Sequence, residues 1–187
     1  DAISARHARK AAEAGVDGII AVAAGAGGHS GNLSPFALVS EIRTFFDGTL
    51  VLAGAINTGR DVAAARMMGA DMAYLGTRFI ATQEATASDG YKQMLIDSSA
   101  ADVVYTPRIS GVNANFLRPS LIAEGLDPDN LPEPGGLDVR AEARVWRDLW
   151  SAGQGVGAIT DAPPARVLCD RLVREYSDAL AQSRNWA

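Results

Sequence analysis

Residues 18–29 read GIIAVAAGAGGH, an apolar run that passes into a glycine-rich stretch and ends in a histidine. The apolar run begins at Val16 and ends at Val22, and it does not alternate with polar residues. Such a run is typical of a parallel strand that is buried on both faces beneath helices. Four of the seven residues 25–31 are glycines, so the chain after this strand is predicted to be a loop whose backbone a ligand can approach closely.

The same unit recurs twice further along the chain. Strands are predicted at residues 50–53 and 71–75, and each runs into a glycine-bearing turn, Gly54-Ala55 and Gly76-Thr77 respectively. The segments around these strands have helical patterns, and the predicted helices cover residues 4–14, 34–46, 58–68 and 78–86. Alternating helices and short buried strands predict an α/β fold, either a (β/α)8 TIM barrel or a doubly wound sheet.

The number of units is small for a closed barrel. Residues 1–87 hold three βα units, whereas a complete (β/α)8 barrel needs about 250 residues. The chain is therefore expected to be an open sheet or the last part of a barrel whose earlier strands are missing. Residues 88–187 are predicted to form a tail segment within the same single domain, 1–187. Its predicted elements are a helix at 90–99, strands at 102–106 and 113–117, a loop at 126–136, a helix at 138–152 that carries Trp146 and Trp150, and a closing helix at 163–184.

The composition excludes several classes of protein. The chain has 187 residues and a net charge of -5, and it has no run of Lys or Arg that would neutralise a row of nucleic-acid phosphates. Its apolar stretches are much shorter than the roughly 20 residues that span a membrane. The single cysteine, Cys169, cannot form an internal disulfide or a metal cluster. We expect a cytoplasmic protein that binds neither nucleic acid nor membranes.

The turns that follow the strands are the candidate binding site. The carboxyl ends of parallel strands meet at one edge of a sheet, where ligands bind in such folds. Gly54-Ala55 and Gly76-Thr77 are therefore predicted to converge on one phosphate, with backbone N–H groups, a helix N-terminus and the Thr77 hydroxyl as donors. The plainer alternative is that these glycines only make tight turns. The neighbouring Arg78 is expected either to approach the phosphate or to pair on the surface.

His29 is the candidate catalytic residue. A histidine in a loop after a strand is suited to act as a general base, because its charge changes near neutral pH. The alternative is an ordinary hydrogen-bonded loop histidine. No Cys/His/Asp cluster in the sequence predicts a metal site.

Taken together, these motifs resemble one family. The segments that carry the resemblance are residues 18–31, 52–56, 59–65, 68–71 and 75–79, with weaker support from 115–118 and 152–157. They are similar to the nitronate monooxygenases, formerly called 2-nitropropane dioxygenases, and the similarity covers nearly the whole chain in order. The resemblance implies a (β/α)8 TIM barrel, of which this chain holds about the last three βα units plus a C-terminal helical extension.

The same resemblance implies a cofactor and residue roles. FMN would be bound without a covalent bond, and alkyl nitronates would be oxidised with molecular oxygen. By position, His29 matches the catalytic base. The residues that match the cofactor site are Gly54, Ala55, Gly76 and Thr77 at the phosphate and Gly27 and Gly28 beside the flavin. The family often has Gly-Gly where this chain has Gly54-Ala55. Alanine still offers its backbone N–H, so the phosphate site is expected to survive if the φ angle of Ala55 stays negative.

Three other functions remain open. One is an FMN-dependent NAD(P)H:quinone reductase or enoyl-acyl-carrier-protein reductase, since enzymes of both kinds have similar motifs. Another is a phosphate-binding barrel enzyme without flavin, which the absence of Lys or Glu from the strand ends disfavours. The last is an inactive fragment or an oligomerisation module. A homodimer also stays open.

Overall fold

The computed structural model describes residues 1–133 and 148–186. Its first part is a three-stranded parallel sheet with strand order β1-β3-β4. These strands are β1 (Gly18–Val22), β3 (Thr49–Ala53) and β4 (Met72–Tyr74). Ala2 lies parallel to β1 on its other side, where its N–H donates to the Ile20 carbonyl at 2.8 Å. The three predicted strands are therefore present, and neighbouring strands follow one another in sequence order.

Helices pack on one face of this sheet. They are α1 (Ala5–Glu13), α2 (Pro35–Arg43) and α3 (Gly59–Met67). The apolar core beneath them joins buried side chains of the strands, such as Ile19 and Leu52, to Leu38 of α2. On the opposite face Met72 and Tyr74 of β4 are 53% and 58% exposed. The prediction that helices cover both faces is therefore wrong for the described residues, because only alternate residues of each strand meet a helix.

A second sheet is antiparallel and has the order β2-β6-β5. The glycine-rich loop contains β2 (Gly28–His29), which sequence reasoning missed because two residues are too short to show a period. The hairpin formed by β5 (Val103–Thr106) and β6 (Ala114–Leu117) agrees with the two strands expected there. Through this sheet the tail segment of the chain contacts the loop that follows β1.

The remaining α-helices of the described residues are α4 (Thr77–Ile80), α5 (Asp89–Asp97), α6 (Arg118–Ala123) and α7 (Ala165–Ser183). The prediction of a helix at 78–86 is wrong in length, since α4 ends at Ile80. The chain beyond α4 turns instead towards the start of α7, where the Gln83 N–H donates to the Pro163 carbonyl at 3.1 Å.

The predicted helix at 138–152 lies largely outside the described residues, and Trp146 lies outside them too. Trp150 is described, and its ring stacks on Tyr91 with ring centres 4.8 Å apart. This contact agrees with a packing role for Trp150. No helix in the described part of the chain is long and apolar enough to cross a membrane.

The closing helix α7 approaches α3 most closely at Gly59. The Gly59 N–H at the first turn of α3 donates to Glu175 Oε2 of α7 at 2.7 Å. A Cβ atom added at Gly59 would lie 2.1 Å from the Leu172 carbonyl oxygen and 2.4 Å from the Tyr176 nitrogen. Both of these are backbone atoms, so only glycine permits the two helices to approach this closely.

We expect Gly59→Ala to lower the free energy of unfolding by about 3 kcal/mol, the upper part of the range for overpacking, because α7 must move away from α3. Denaturant unfolding measures the change. Gly90→Ala in α5 is the matched control, since its added Cβ would meet only Trp150 at an ordinary 3.6 Å, and alanine favours a helix by up to about 1 kcal/mol. Equal stabilities of the two variants would contradict this account of the interface.

Candidate active site

A cleft of about 330 Å³ opens at the carboxyl ends of the parallel strands. The last residues of β1, β3 and β4, which are Val22, Ala53 and Tyr74, all line it. Six of the seven residues predicted for the site also line the cleft: Gly27, His29, Gly54, Ala55, Gly76 and Thr77. Gly28 does not line the cleft, and it pairs with Asn115 across the second sheet. The structure therefore brings together residues that lie up to fifty positions apart in the chain.

Three loops meet at one backbone oxygen beside this cleft. The Gly25 carbonyl accepts a hydrogen bond from the Ala55 N–H at 3.2 Å and another from the Gln154 N–H at 2.9 Å. It thus joins the glycine-rich loop to the turn after β3 and to the loop before α7. A buried carbonyl has two lone pairs, and here both are used to hold separate chain segments.

Close approach of these loops explains several of the glycines. A Cβ atom added at Gly27 would lie 2.9 Å from the Gly153 nitrogen, and one added at Gly153 would lie 2.6 Å from the Gly25 carbonyl oxygen. A Cβ atom added at Gly155 would lie closer still to its neighbour, 2.1 Å from the Asn57 side-chain nitrogen. These glycines have a packing reason that is independent of any ligand.

The turn after β3 has an unusual backbone. Gly54 has a φ angle of 134° and Ala55 one of 56°. The condition of a negative φ angle at Ala55, on which survival of the phosphate site was expected to depend, is therefore not met. Ala55 lies in the left-handed region, where a non-glycine residue is strained by about 1–2 kcal/mol. The hydrogen bond from its N–H to the Gly25 carbonyl helps to hold it there, so this N–H is already used within the protein.

The turn after β4 differs from the others. Gly76 has a negative φ angle of -102°, and a Cβ atom added to it would meet no atom within 4 Å. Neither backbone geometry nor packing in the described chain requires glycine at this position. Thr77 is buried, and its Oγ1 accepts a hydrogen bond from the Gly153 N–H at 2.9 Å. Its hydroxyl therefore holds the loop before α7 as well as facing the cleft.

The N-terminus of α3 is already occupied by the protein's own carboxylates. The N–H groups of Asn57 and Thr58 donate to Asp61 Oδ2 at 3.0 and 2.9 Å, and Gly59 donates to Glu175. These three N–H groups are therefore not available to an anion in this arrangement. Among the described residues that line the cleft there is no Lys or Arg, so an anion there would depend on backbone N–H groups and hydroxyls.

His29 is held by the second sheet. It lies in β2 opposite Ala114 of β6, and its ring is exposed at the edge of the cleft. Its Nε2 atom lies 3.2 Å from the Ser110 hydroxyl oxygen in the turn between β5 and β6. The backbone of β2 and a side chain of the hairpin therefore both help to position the ring.

Asn115 is a residue of this region that sequence reasoning did not assign to the site. It is fully buried, and its side-chain nitrogen donates to the Ala26 carbonyl at 2.7 Å and to the Ser30 hydroxyl at 3.0 Å. It therefore clamps both ends of the segment that contains His29. The available signal was an asparagine within the otherwise apolar strand 114–117, since a buried amide needs partners.

Arg78 fits neither of the two roles expected for it. It is 2% exposed, and it donates to the Asp161 carboxylate at 2.8 Å and to the carbonyls of Asp161 and Ala81. Arg171 of α7 donates to the same carboxylate through both of its terminal nitrogens. Burial lowers the pKa of Arg78, and the hydrogen bonds from Arg171 hold the pKa of Asp161 below its usual value. The cluster joins the start of α4 to α7.

A family model for nitronate monooxygenase matches residues 1–175. The chain belongs to the nitronate monooxygenase family. Members of this family are flavin-dependent oxidoreductases.

Individual relatives support the same assignment. A nitronate monooxygenase of Paraburkholderia phytofirmans is 33% identical over 168 residues, which are 83% of this chain and 45% of that protein. The chain spans about half the length of the curated relatives that it matches. It therefore corresponds to only part of a typical nitronate monooxygenase.

Two solved structures share its fold. A mutant of FabK from Thermotoga maritima superposes with a TM-score of 0.82 at 28% identity, over 100% of this chain and 60% of that one. A nitroalkane oxidase from Streptomyces ansochromogenes gives a TM-score of 0.79 at 28% identity, over 97% of this chain and 57% of that one. The α/β fold predicted from the sequence is confirmed.

We expect Asp161→Asn to lower the free energy of unfolding by about 2 kcal/mol at neutral pH. Loss of a buried pair typically costs about 3–5 kcal/mol, and the partial exposure of Asp161 reduces this. Since folding lowers the pKa of Asp161, its contribution is present above pH 4 and is lost as the pH falls through the folded-state value.

Unfolding of parent and variant across pH 2–7 measures this effect. The difference between the two proteins should shrink in acid. Asp129→Asn is the control, because Asp129 pairs with Arg118 on the exposed surface and such pairs contribute less than about 1 kcal/mol. A loss of stability in Asp161→Asn that is independent of pH would contradict the role assigned to the Asp161 carboxylate.

Proposed function

We propose that this chain carries the catalytic histidine and the cofactor-phosphate turns of an FMN-dependent nitronate monooxygenase. Its substrates would be alkyl nitronates and molecular oxygen. The observation that carries the proposal is that His29 and the turns Gly54-Ala55 and Gly76-Thr77 line one cleft. Membership of the nitronate monooxygenase family supports it.

Among the residues predicted for the cofactor site, Gly76 is the one that best fits the phosphate end of FMN. The open space beside this glycine, where an alanine side chain would project without contact, is what close approach of a ligand to the backbone requires. Thr77 adds a hydroxyl at the same turn. The Gly54-Ala55 turn lines the same cleft, but its Ala55 N–H already donates to the Gly25 carbonyl, so the phosphate assignment depends mainly on Gly76-Thr77. Gly27 lines the cleft near His29 and is proposed to border the flavin, whereas Gly28 pairs with Asn115 and does not line it.

The chain's own residues would perform two tasks. Ile20, Val22 and Ile56 form an apolar wall of the cleft, which would exclude water from a bound substrate. His29 would accept the proton from the carbon next to the nitro group when the substrate arrives as a neutral nitroalkane, or would stabilise the bound nitronate anion. FMN, when bound, would accept electrons from the substrate and pass them to oxygen.

The sheet supports the further proposal that these are the last βα units of a (β/α)8 barrel. Ala2, β1, β3 and β4 lie side by side, parallel and in sequence order, as consecutive strands of such a barrel do. The face that carries Tyr74 has no helix over it among the described residues, as expected for a barrel interior. The remaining strands would complete the flavin pocket.

A reductase is the second candidate. The observation that favours it is the superposition on FabK, which fits the enoyl-acyl-carrier-protein reductase alternative. The two candidates differ in the compound that reduces the flavin. Rapid reduction by NAD(P)H without reduction by a nitronate would favour the reductase, and the reverse would favour the monooxygenase.

Flavin binding is the first test. The product of the complete gene is expected to retain oxidised-flavin absorption after addition of FMN and dialysis, whereas this chain alone should retain little.

Gly76→Ala should weaken FMN binding by tenfold or more, since overpacking costs about 1–3 kcal/mol, while stability changes by less than about 1 kcal/mol. Gly27→Ala is the contrasting variant, because its Cβ would meet protein atoms and should lower stability. Undiminished FMN affinity in Gly76→Ala would remove the phosphate assignment.

The catalytic role of His29 is tested with two forms of one substrate. His29→Gln should slow oxidation of a neutral nitroalkane by about 10²–10⁴-fold, the usual contribution of a general base. Oxidation of the preformed nitronate should fall by less than about tenfold, since its carbon has already lost the proton. His7→Gln in α1 is the control and should leave both rates unchanged. Equal losses with the two substrate forms would contradict a base role.

A further inference from the structure

The turn that carries Gly76 and Thr77 is held by one other segment of the chain. Thr77 Oγ1 accepts a hydrogen bond from the Gly153 N–H at 2.9 Å. The next residue, Arg78, donates from Nη1 to the Asp161 carbonyl at 3.0 Å and from Nη2 to the Asp161 carboxylate at 2.8 Å. Two consecutive residues after β4 are therefore held by residues 153–161, the segment that leads into α7.

The closing helix α7 fixes that segment in its turn. Arg171 of α7 donates to both oxygens of the Asp161 carboxylate, at 2.9 and 2.6 Å. One helical turn further along, Glu175 accepts a hydrogen bond from the Gly59 N–H, and Gly59 begins the helix that follows the Gly54-Ala55 turn. Since residues four apart lie on the same face of a helix, one face of α7 contacts the chain beyond both turns that are proposed to bind phosphate.

The charges of this cluster do not make it an anion site. Arg78 is buried and does not line the cleft, and both of its terminal nitrogens donate to acceptors of the protein. With Asp161, Arg171 and Glu175 the cluster holds two positive and two negative charges. Because these charges offset one another, the cluster acts on a ligand in the cleft mainly through the position of the backbone.

We propose that Arg78 and Asp161 are positioning residues for the phosphate of FMN, and that α7 sets the place of the Gly76-Thr77 turn through them. This inference rests on the proposed function. Since no Lys or Arg of the described chain lines the cleft, the anion depends on N–H groups and on the Thr77 hydroxyl, which accepts from Gly153 and still has its own proton to donate. A hydrogen bond to a charged group is typically worth about tenfold in affinity or more, and it weakens steeply when its geometry is disturbed.

A comparison of two flavins isolates the phosphate. FMN and riboflavin share the ring and the ribityl chain and differ only in the phosphate, so a displaced turn should weaken FMN and spare riboflavin. In the product of the complete gene, Arg78→Lys should raise the dissociation constant of FMN by about tenfold or more and that of riboflavin by less than about threefold. Lysine keeps the charge but lacks the planar fork that reaches the carboxylate and the carbonyls together. Flavin fluorescence measures both constants.

A general loss of folding would have a different signature. A variant that is partly unfolded has fewer molecules able to bind, which weakens both flavins by the same factor. Equal losses for FMN and riboflavin would therefore overturn the positioning role.

Arg171→Gln is the second variant, needed if Arg78→Lys fails to fold. Arg171 is partly exposed on α7, and its replacement leaves Arg78 in place on a carboxylate that is held less firmly. FMN should again be weakened selectively, by about threefold or more. Unchanged FMN affinity in this variant would count against the proposal.

Arg43→Lys is the matched control. Like Arg78, the Arg43 guanidinium donates to a carboxylate and to several carbonyls, which are those of Asp71 and of Phe46, Gly48 and Gly69 respectively. These contacts lie at the amino ends of β3 and β4, at the opposite edge of the sheet from the cleft. Arg43→Lys should lower stability and leave the ratio of the two dissociation constants unchanged. A change in that ratio as large as the change in Arg78→Lys would overturn the proposal, because the ratio would then report general loosening.

Hydrogen exchange of the flavin-free protein separates this inference from the proposed function. In Arg78→Lys the amides of residues 76–80 should exchange faster, whereas those of β1 should not. If the parent binds FMN no more tightly than riboflavin, the phosphate assignment of the proposed function fails, and the positioning of phosphate fails with it. If the parent prefers FMN but neither the affinity ratio nor the exchange changes in Arg78→Lys, only the positioning role fails.

Discussion

Two hydrogen bonds to the Gly25 carbonyl hold the cleft together. They come from the Ala55 and Gln154 N–H groups, which belong to segments far apart in the chain. Each bond alone is worth about 0.5–1.5 kcal/mol, but together they bring three backbones within contact distance. The narrow space between them then decides which residues are tolerated, and glycine is required at Gly27 and Gly153 for this reason. The strain of Ala55 is the local cost of the same arrangement.

The glycines of the cleft therefore fall into two kinds. Most of them serve the protein itself, because an added Cβ would meet backbone atoms or because the φ angle is positive. Gly76 belongs to the other kind, since the described chain gives no reason for the missing side chain. A glycine that the fold does not need is better evidence for a ligand than one that the fold requires. Gly-rich sequence alone does not distinguish these cases.

The sequence was sufficient for the parts that depend on local patterns. The three parallel strands were predicted from short apolar runs, and the start of α3 was predicted as well, where Thr58 and Asp61 accept hydrogen bonds from each other's N–H groups. The strand β2 was missed because its two residues are strand only through pairing with a hairpin about 85 positions away. The burial of Arg78 was missed for a similar reason, because its partner Asp161 comes from the far end of the chain.

The sequence was sufficient to name candidate residues of the site, but it was not sufficient to predict which other residues they contact. A histidine after a glycine-rich strand end is visible in the sequence, whereas Ser110 and Asn115 have no local signal that connects them with it. Ala55 lacks the negative φ angle on which the phosphate site was expected to depend, because a tertiary hydrogen bond helps to hold it in the left-handed region. Intrinsic preference is a weak guide where several loops converge on one backbone atom.

The contacts that define the cleft also determine when it can form. His29 and Ser110 are separated by 81 positions, Thr77 and Gly153 by 76, and Asn115 and Ala26 by 89. Contacts of such long range close large loops and slow folding. During synthesis these βα units leave the ribosome before the tail segment, but the cleft has to wait for the segment around Gly153. Until then the strand ends that surround the future site are exposed and open to misassembly.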